Sequence, residues 1–205
     1  MKESVERALA AFAKKGFDTK YFETAAEAAE WLAEQVAEGE EVAFGGSVTL
    51  RQLDLAAKIT ARGGSVINHW REGQTAEERA DGLRRPFRHQ HYFLSANALT
   101  EDGLIYNVDG TGNRVTTAVF GPQQVFVVAG ENKVVADINA AVERVRTIAA
   151  PKNAARLNKQ TPCVKTGTCM NCQSPQRICG VYTVTAFPPY GTKTTIVLIG
   201  EELGY

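Results

Sequence analysis

The chain has 205 residues, 44% apolar and 22% charged, with 23 Lys+Arg against 23 Asp+Glu. That composition excludes a disordered chain. The even charge balance also excludes a general nucleic-acid binder, which needs a basic surplus to neutralise phosphates. No apolar run reaches the length of a membrane span, and the charged opening Met1-Lys2-Glu3 does not read as a signal peptide, so the cytoplasm is the expected compartment.

Elements follow in a regular alternation. Val5, Ala8, Leu9 and Phe12 recur at helical spacing up to Gly16, and residues 17–22 read as extended. Thr24 with Glu27 is a capping box that opens a helix carrying Ala28, Trp31, Leu32 and Val36, closed by Gly39. A strand at 41–44 leads through Gly45-Gly46-Ser47-Val48-Thr49 into a helix reaching about Ala61; Gly63-Gly64 then turns into a strand near 65–68. Thr75 with Glu78 is a second capping box, and its helix must stop at Pro86.

Residues 91–95 and 104–108 read as strands separated by a turn-rich stretch, 97–103. The glycine-rich loop 109–114 precedes a short helix that stops at Gly121-Pro122. Val125 to Val128 is a continuous apolar run, as expected of a strand covered on both faces. Ile138, Ala141, Val142, Val145 and Ile148 form a helical stripe, Pro151 starts or kinks a further turn, and strands near 182–186 and 194–199 follow. Alternating strand–helix units predict one α/β domain over residues 1–205, with a largely parallel sheet and helices on both faces.

Two loops are suited to an anion. At Gly45-Gly46-Ser47-x-Thr49, glycines let a ligand approach the backbone, while the following helix start and the Ser47 and Thr49 hydroxyls offer donors. At Asp109-Gly110-Thr111-Gly112-Asn113-Arg114, a guanidinium able to pair bidentately with carboxylate or phosphate ends a second strand–helix loop. Asp109 and Asn113 are equally good plain turn formers. In open α/β sheets such loops gather at the carboxyl ends of strands. Thr100, Glu101 and Asp102 form a third strand-end loop, and Lys133 follows the apolar strand; a carboxylate and an amine near a bound carbonyl suit acid–base work, although such residues are also common on solvated loops.

Cys163, Cys169, Cys172 and Cys179 are all the cysteines in the chain, spaced C-x5-C-x2-C-x6-C. A C-x2-C pair aims two thiolates at one ion and two flanking thiolates complete four ligands, which suits tetrahedral zinc or an iron–sulfur cluster. Redox-active thiols and disulfides are the other readings, ranked below metal in a reduced compartment. His69, His89 and His91 lack a ligand-like spacing and receive no role; Trp31, Trp70 and Tyr205 read as packing or surface residues.

Gly45-Gly46-Ser47-x-Thr49, Ser95-x-Asn97-Ala98-x-Thr100-Glu101-Asp102-Gly103 and Asn107-x-Asp109-Gly110-x-Gly112-Asn113-Arg114-Val115 resemble the LUD family of lactate-utilisation proteins. Gly121-Pro122, Asn132-Lys133-x-Val135, Ala150-Pro151-x-Asn153 and the cysteine segment 163–179 carry the resemblance on to Leu203-Gly204-Tyr205. Gln52 departs from it, standing where an acidic residue is more usual. The resemblance implies a fold like that of ribose-phosphate isomerases, glucosamine-phosphate deaminases and CoA transferases. It places an anion on Gly45, Gly46, Ser47 and Thr49, and chemistry on Thr100, Glu101, Asp102, Asp109 and Lys133. It also implies a part in oxidising lactate to pyruvate beside iron–sulfur partner proteins. A free-standing enzyme on a sugar phosphate or CoA thioester, or a non-catalytic protein with structural zinc, are the alternatives.

Overall fold

A computed structural model describes residues 1–67 and 73–205. The expected strand end at Asn68, and His69 and Trp70, lie outside the described residues. The chain runs α1 (Glu3–Lys14), β1 (Asp18–Phe22), α2 (Ala25–Glu34), β2 (Glu41–Phe44), α3 (Val48–Gln52), α4 (Leu55–Ala61), β3 (Ser65–Ile67) and α5 (Ala76–Arg84). It continues with β4 (His91–Leu94), β5 (Ala98–Thr100), β6 (Ile105–Asp109), α6 (Asn113–Val119), β7 (Gln124–Gly130) and β8 (Val134–Val135). Then come α7 (Ile138–Arg144), α8 (Ala150–Arg156), α9 (Pro162–Thr166), β9 (Val181–Thr185) and β10 (Lys193–Ile199).

Six strands form a sheet in the order β1-β10-β7-β4-β2-β3, parallel at every pairing. Alternate residues of β7 divide its two faces. Val125 and Val127 pack with Val5, Ala8 and Phe12 of α1, whereas Phe126 and Val128 pack with Leu32 of α2, Leu50 of α3 and Ile59 of α4. Helices therefore cover both faces, which is why the central strands read as unbroken apolar runs. Phe93 and Phe126 stack across β4 and β7 with ring centroids 4.8 Å apart.

A second, four-stranded sheet in the order β8-β5-β6-β9 was not foreseen. It is mixed: β6 pairs antiparallel with β5 and β9, and β5 pairs parallel with β8. Its strands are short, and a three-residue β5 lies within a stretch whose Asn, Asp and Gly content reads as turn. Tyr106 and Val108 of this sheet pack on Ala141 and Val145.

Both capping boxes form, at Thr24 with Glu27 and at Thr75 with Glu78. The helix expected to run to Ala61 is instead two helices, because Asp54 adopts a left-handed φ of 49° between them. Pro151 does not begin a separate helix. α7 and α8 are continuous through a π-helical turn, Val145–Ala149, where proline's ring and missing N–H disturb the regular ladder.

Candidate functional site

β2, β4, β7 and β10 are adjacent and parallel in the main sheet, so the segments that follow them emerge on one edge. Each supplies a piece of one buried polar node. β2 leads to Thr49, β4 to Ser95, β7 to Lys133 and β10 to Leu203 and Gly204. Lys133 Nζ donates to Thr49 Oγ1 and to Ser95 Oγ, both at 2.9 Å, and Ser95 Oγ donates to Thr49 Oγ1 at 3.3 Å. Thr49 Oγ1 in turn donates to the Leu203 carbonyl at 3.3 Å. Lys133 is 3% exposed, Thr49 0% and Ser95 7%.

Among the described residues no carboxylate pairs with Lys133. Burial, with Arg144 and then Arg114 nearby, lowers its pKa from 10.5 to about 7. A lysine buried among hydroxyls and other cations is disfavoured in its charged form, and groups shifted in this way concentrate at functional sites. Segment 201–205 closes over it. Glu131 N donates to the Glu201 carbonyl, Leu203 N to Asn132 Oδ1 and Gly204 N to Gln52 Oε1. Gly204 sits so close that a Cβ would stand 2.6 Å from Thr49 Oγ1 and 3.1 Å from Lys133 Nζ. Gln52, the residue at the position where an acid is more usual, thus holds this segment by its amide oxygen.

The two glycine-rich loops do meet, through Arg114. A Cβ on Gly45 would lie 2.9 Å from Arg114 Cγ and 2.8 Å from the Tyr92 hydroxyl, so the absent side chain admits the protein's own residues there. The Arg114 guanidinium is fully engaged. Nη1 donates to the Ser95 carbonyl and Asn107 Oδ1, Nη2 to Asn97 Oδ1 and the Val108 carbonyl, and Nε lies 3.3 Å from Asp109 Oδ2. With its N–H groups committed, Arg114 acts as a clasp between the sheets and not as the anion ligand its place in the loop suggested. Asp109 also accepts from the N–H groups of Thr111 and Gly112, and Asn113 Oδ1 accepts from the Thr111 hydroxyl. These are turn contacts. Gly110 and Gly112 lie against Ile178 and Val181, so the loop docks on the cysteine segment. Gly46 is exposed, and Ser47 caps α3 by accepting from Leu50 N.

Thr100, Glu101 and Asp102 fall elsewhere. β8 and β5 run parallel from Leu99 opposite Val134 to Thr100 opposite Val135, so Lys133 lies at one end and the 100–103 turn beyond the other. Thr100 Oγ1 bonds Asp102 Oδ1 and accepts from Leu104 N, closing the turn. Glu101 Oε2 accepts from Arg7 Nε at 2.6 Å, and Lys15 Nζ donates to the Gly103 carbonyl. This loop fastens β5–β6 to α1, and none of its side chains hydrogen-bonds to Lys133. Ser95, Arg144 and Gly204 went unassigned in the sequence, although Ser95 follows an apolar strand directly, the position where ligand groups gather. Arg144 is buried with Nε donating to the Asn132 carbonyl and Nη1 to the Asn97 carbonyl.

All four cysteines are free thiols and line one cavity of about 20 Å³, together with Thr161, Met170 and Arg177. The cavity suits an object the size of one atom. Thr161 Oγ1 lies 3.2 Å from Cys163 Sγ, and Asn171 N donates to Cys169 Sγ at 3.4 Å. Arg177 Nη2 donates to the Cys179 carbonyl at 2.9 Å and approaches Cys179 Sγ at 3.6 Å, while its Nε is buried without a partner. Hydrogen bonding and charge from Cys179 raise the Arg177 pKa. Among the described residues no three His, Cys, Asp or Glu side chains gather at metal-ligating spacing. The four cysteines nonetheless line one space, with N–H groups near the sulfurs of Cys169 and Cys179. His89 and His91 pair with Glu41 and Glu40, apart from both sites.

Residues 5–199 match the LUD domain family. The chain belongs to that family. This LUD domain protein is therefore related to lactate-utilisation proteins, as its motifs suggested. A DUF162 family protein from Deinococcus radiodurans shares its fold, with a TM-score of 0.55 and 12% identity over 97% of each chain. eIF2B delta from Chaetomium thermophilum overlays 52% of this chain and 47% of its own, at 16% identity and a TM-score of 0.34. eIF2B beta from the same source overlays 55% of this chain and 43% of its own, at 17% identity and a TM-score of 0.38. Scores that low carry no argument about fold or function. No curated protein matches the chain. No helix among the described residues is long and apolar enough to cross a membrane.

Proposed function

We propose that this LUD domain protein is an accessory component of lactate-to-pyruvate oxidation in the cytoplasm, with a four-thiolate metal site and a cationic node for a small carboxylate. The observation that carries this reading is the convergence of all four cysteines, 163 through 179, on one cavity. An iron–sulfur cluster is the favoured occupant, and iron–sulfur proteins are the expected partners. Structural zinc is the second reading, and the atom-sized cavity favours it.

Cys163, Cys169, Cys172 and Cys179 would hold the group, and a cluster would supply one-electron transfer where zinc would supply only a rigid clasp. Asn171 N and the Arg177 guanidinium donate toward the sulfurs of Cys169 and Cys179. At the other site Arg144 provides positive charge with no carboxylate paired to it among the described residues, and Thr49 and Ser95 orient the Lys133 amine. Arg114 offers no free donor for a phosphate, which weighs against a sugar-phosphate or CoA enzyme that would use it.

The test is ligand-dependent unfolding and visible absorption of protein purified without oxygen. Lactate or pyruvate should raise the melting temperature, because a ligand that binds only the folded state stabilises it. No shift with either acid, while phosphosugars or CoA give one, would move the protein to the alternative class.

A further inference from the structure

Lys133 is placed as a nucleophile is placed. Its amine stands where the ends of β2, β4, β7 and β10 converge, and its two hydrogen-bond partners are hydroxyls at 2.9 Å. Hydroxyls accept from an amine without locking it as an ammonium ion, as a carboxylate would. Arg144 lies beside it: Nε donates to the carbonyl of Asn132, the residue before Lys133, and Nη1 donates to the Asn97 carbonyl. No partner among the described residues takes Arg144 Nη2, so this largely buried guanidinium keeps one nitrogen uncommitted, and its charge is felt at Lys133. Segment 201–205 covers Lys133 and is held by hydrogen bonds at Glu201, Leu203, Gly204 and Tyr205, so these must break for a ligand to enter.

Resting on the reading of the protein as one that handles lactate and pyruvate, we propose that Lys133 condenses with a 2-oxo acid to form an imine, with Arg144 holding the carboxylate and segment 201–205 lifting to admit it. Nζ attacks the ketone carbon, and its lone pair forms the new C–N bond as the carbonyl π bond breaks. The resulting carbinolamine loses its hydroxyl as water; both protons of that water come from the former amine nitrogen, relayed through the Ser95 or Thr49 hydroxyl. The products are a C=N bond and one water, with no change in oxidation state and no further reactant. An amine with a pKa near 7 is already unprotonated in useful fraction at neutral pH. A ketone alone would satisfy the amine and a carboxylate alone the guanidinium; a 2-oxo acid presents both on adjacent carbons.

The experiment treats the full chain, purified without oxygen, with pyruvate and borohydride, followed by peptide mass mapping. A reduced pyruvyl adduct on Lys133 is expected, with lactate giving none because it has no carbonyl. Methyl pyruvate, which keeps the ketone but lacks the carboxylate charge, should label Lys133 about tenfold less, as loss of one charge-assisted hydrogen bond implies. Gly204→Ala, whose Cβ must displace either Thr49 or the segment itself, should label severalfold faster than wild type. An adduct spread over exposed lysines, or equal labelling by pyruvate and methyl pyruvate, overturns the proposal. Imine formation needs no metal, so the outcomes separate. Metal-loaded protein without a Lys133 adduct sinks this assignment and leaves the thiol site standing, whereas a Lys133 adduct on metal-free protein does the reverse.

Discussion

At Lys133 an amine, two hydroxyls and a carbonyl form a closed set of hydrogen bonds, nearly sealed from water and roofed by segment 201–205. At the cysteine cavity four thiols are half-exposed, three of their sulfurs have only contacts of 3.2–3.6 Å, and a guanidinium nitrogen is buried with no partner. The first site is complete without a ligand and must open to take one. The second has gathered its donors but leaves them unsatisfied, which is the condition in which an added ion stabilises most. Metal binding at such a site couples to local folding. The two regions are joined mechanically, because the 109–114 loop that Arg114 clasps also docks on residues 178–181, with Gly180 N donating to the Asp109 carbonyl.

Breaking that clasp should have the largest effect. Arg114→Ala removes the cationic partner of Asp109 and a donor from four carbonyl or amide oxygens, and should cost about 3–5 kcal/mol in denaturant unfolding, the range for removing one partner of a buried pair. It should also weaken metal retention, since the cysteine segment loses its support. A loss confined to stability would show that the sites are independent.

The closed site can be tested by pH. Lys133 has a folded pKa of about 7 against 10.5 when unfolded, so between these values the unfolded chain binds more protons and stability rises with pH. The slope from this group is at most about 1.4 kcal/mol per pH unit, and below pH 7 its penalty is fully present. Lys133→Met should therefore be more stable than wild type at pH 6, with the gap narrowing toward pH 10. Parallel stability curves for the two proteins would show that Lys133 is charged and paired.

For the open site, Cys169→Ser in metal-free protein should change stability by no more than about 0.5 kcal/mol, as for a partly exposed side chain with few contacts. The same change should abolish stoichiometric metal. A large loss of stability without metal would mean that the thiols are packing residues. The smallest effect is expected at Glu101→Gln, which removes only its contact with exposed Arg7. Neither the pyruvate response nor metal content should move, whereas a catalytic Glu101 would lose the former.

The main sheet, its flanking helices and both capping boxes were legible because apolar periodicity and local caps are written in neighbouring residues. The second sheet was not, since β5 and β8 have three and two residues and are defined by pairing partners far along the chain. Lys133 and the cysteines were legible as chemistry-bearing residues at strand ends or close spacing. Thr100, Glu101 and Asp102 were misleading: a polar strand-end loop has the same composition whether it binds a ligand or ties a hairpin to a helix. Arg114 was misleading for a related reason. Guanidinium chemistry at a glycine-rich loop is visible in the sequence, but the oxygens that occupy it come from Asn107 and Val108 of the preceding strand folding back and from Ser95 and Asn97 beyond β4. Ser95 and Gly204 acquire meaning only when the ends of four strands are brought to one edge.

The most direct test of the four-thiolate site is iron, acid-labile sulfide and zinc content of protein purified without oxygen, compared with each single Cys→Ser variant at 163, 169, 172 and 179. Stoichiometric iron with sulfide in the wild type, lost in every variant, is the predicted result; zinc lost in the same way would retain the site and change its role from electron transfer to clasp. Wild-type protein with neither metal, or metal that survives all four substitutions, would contradict the account.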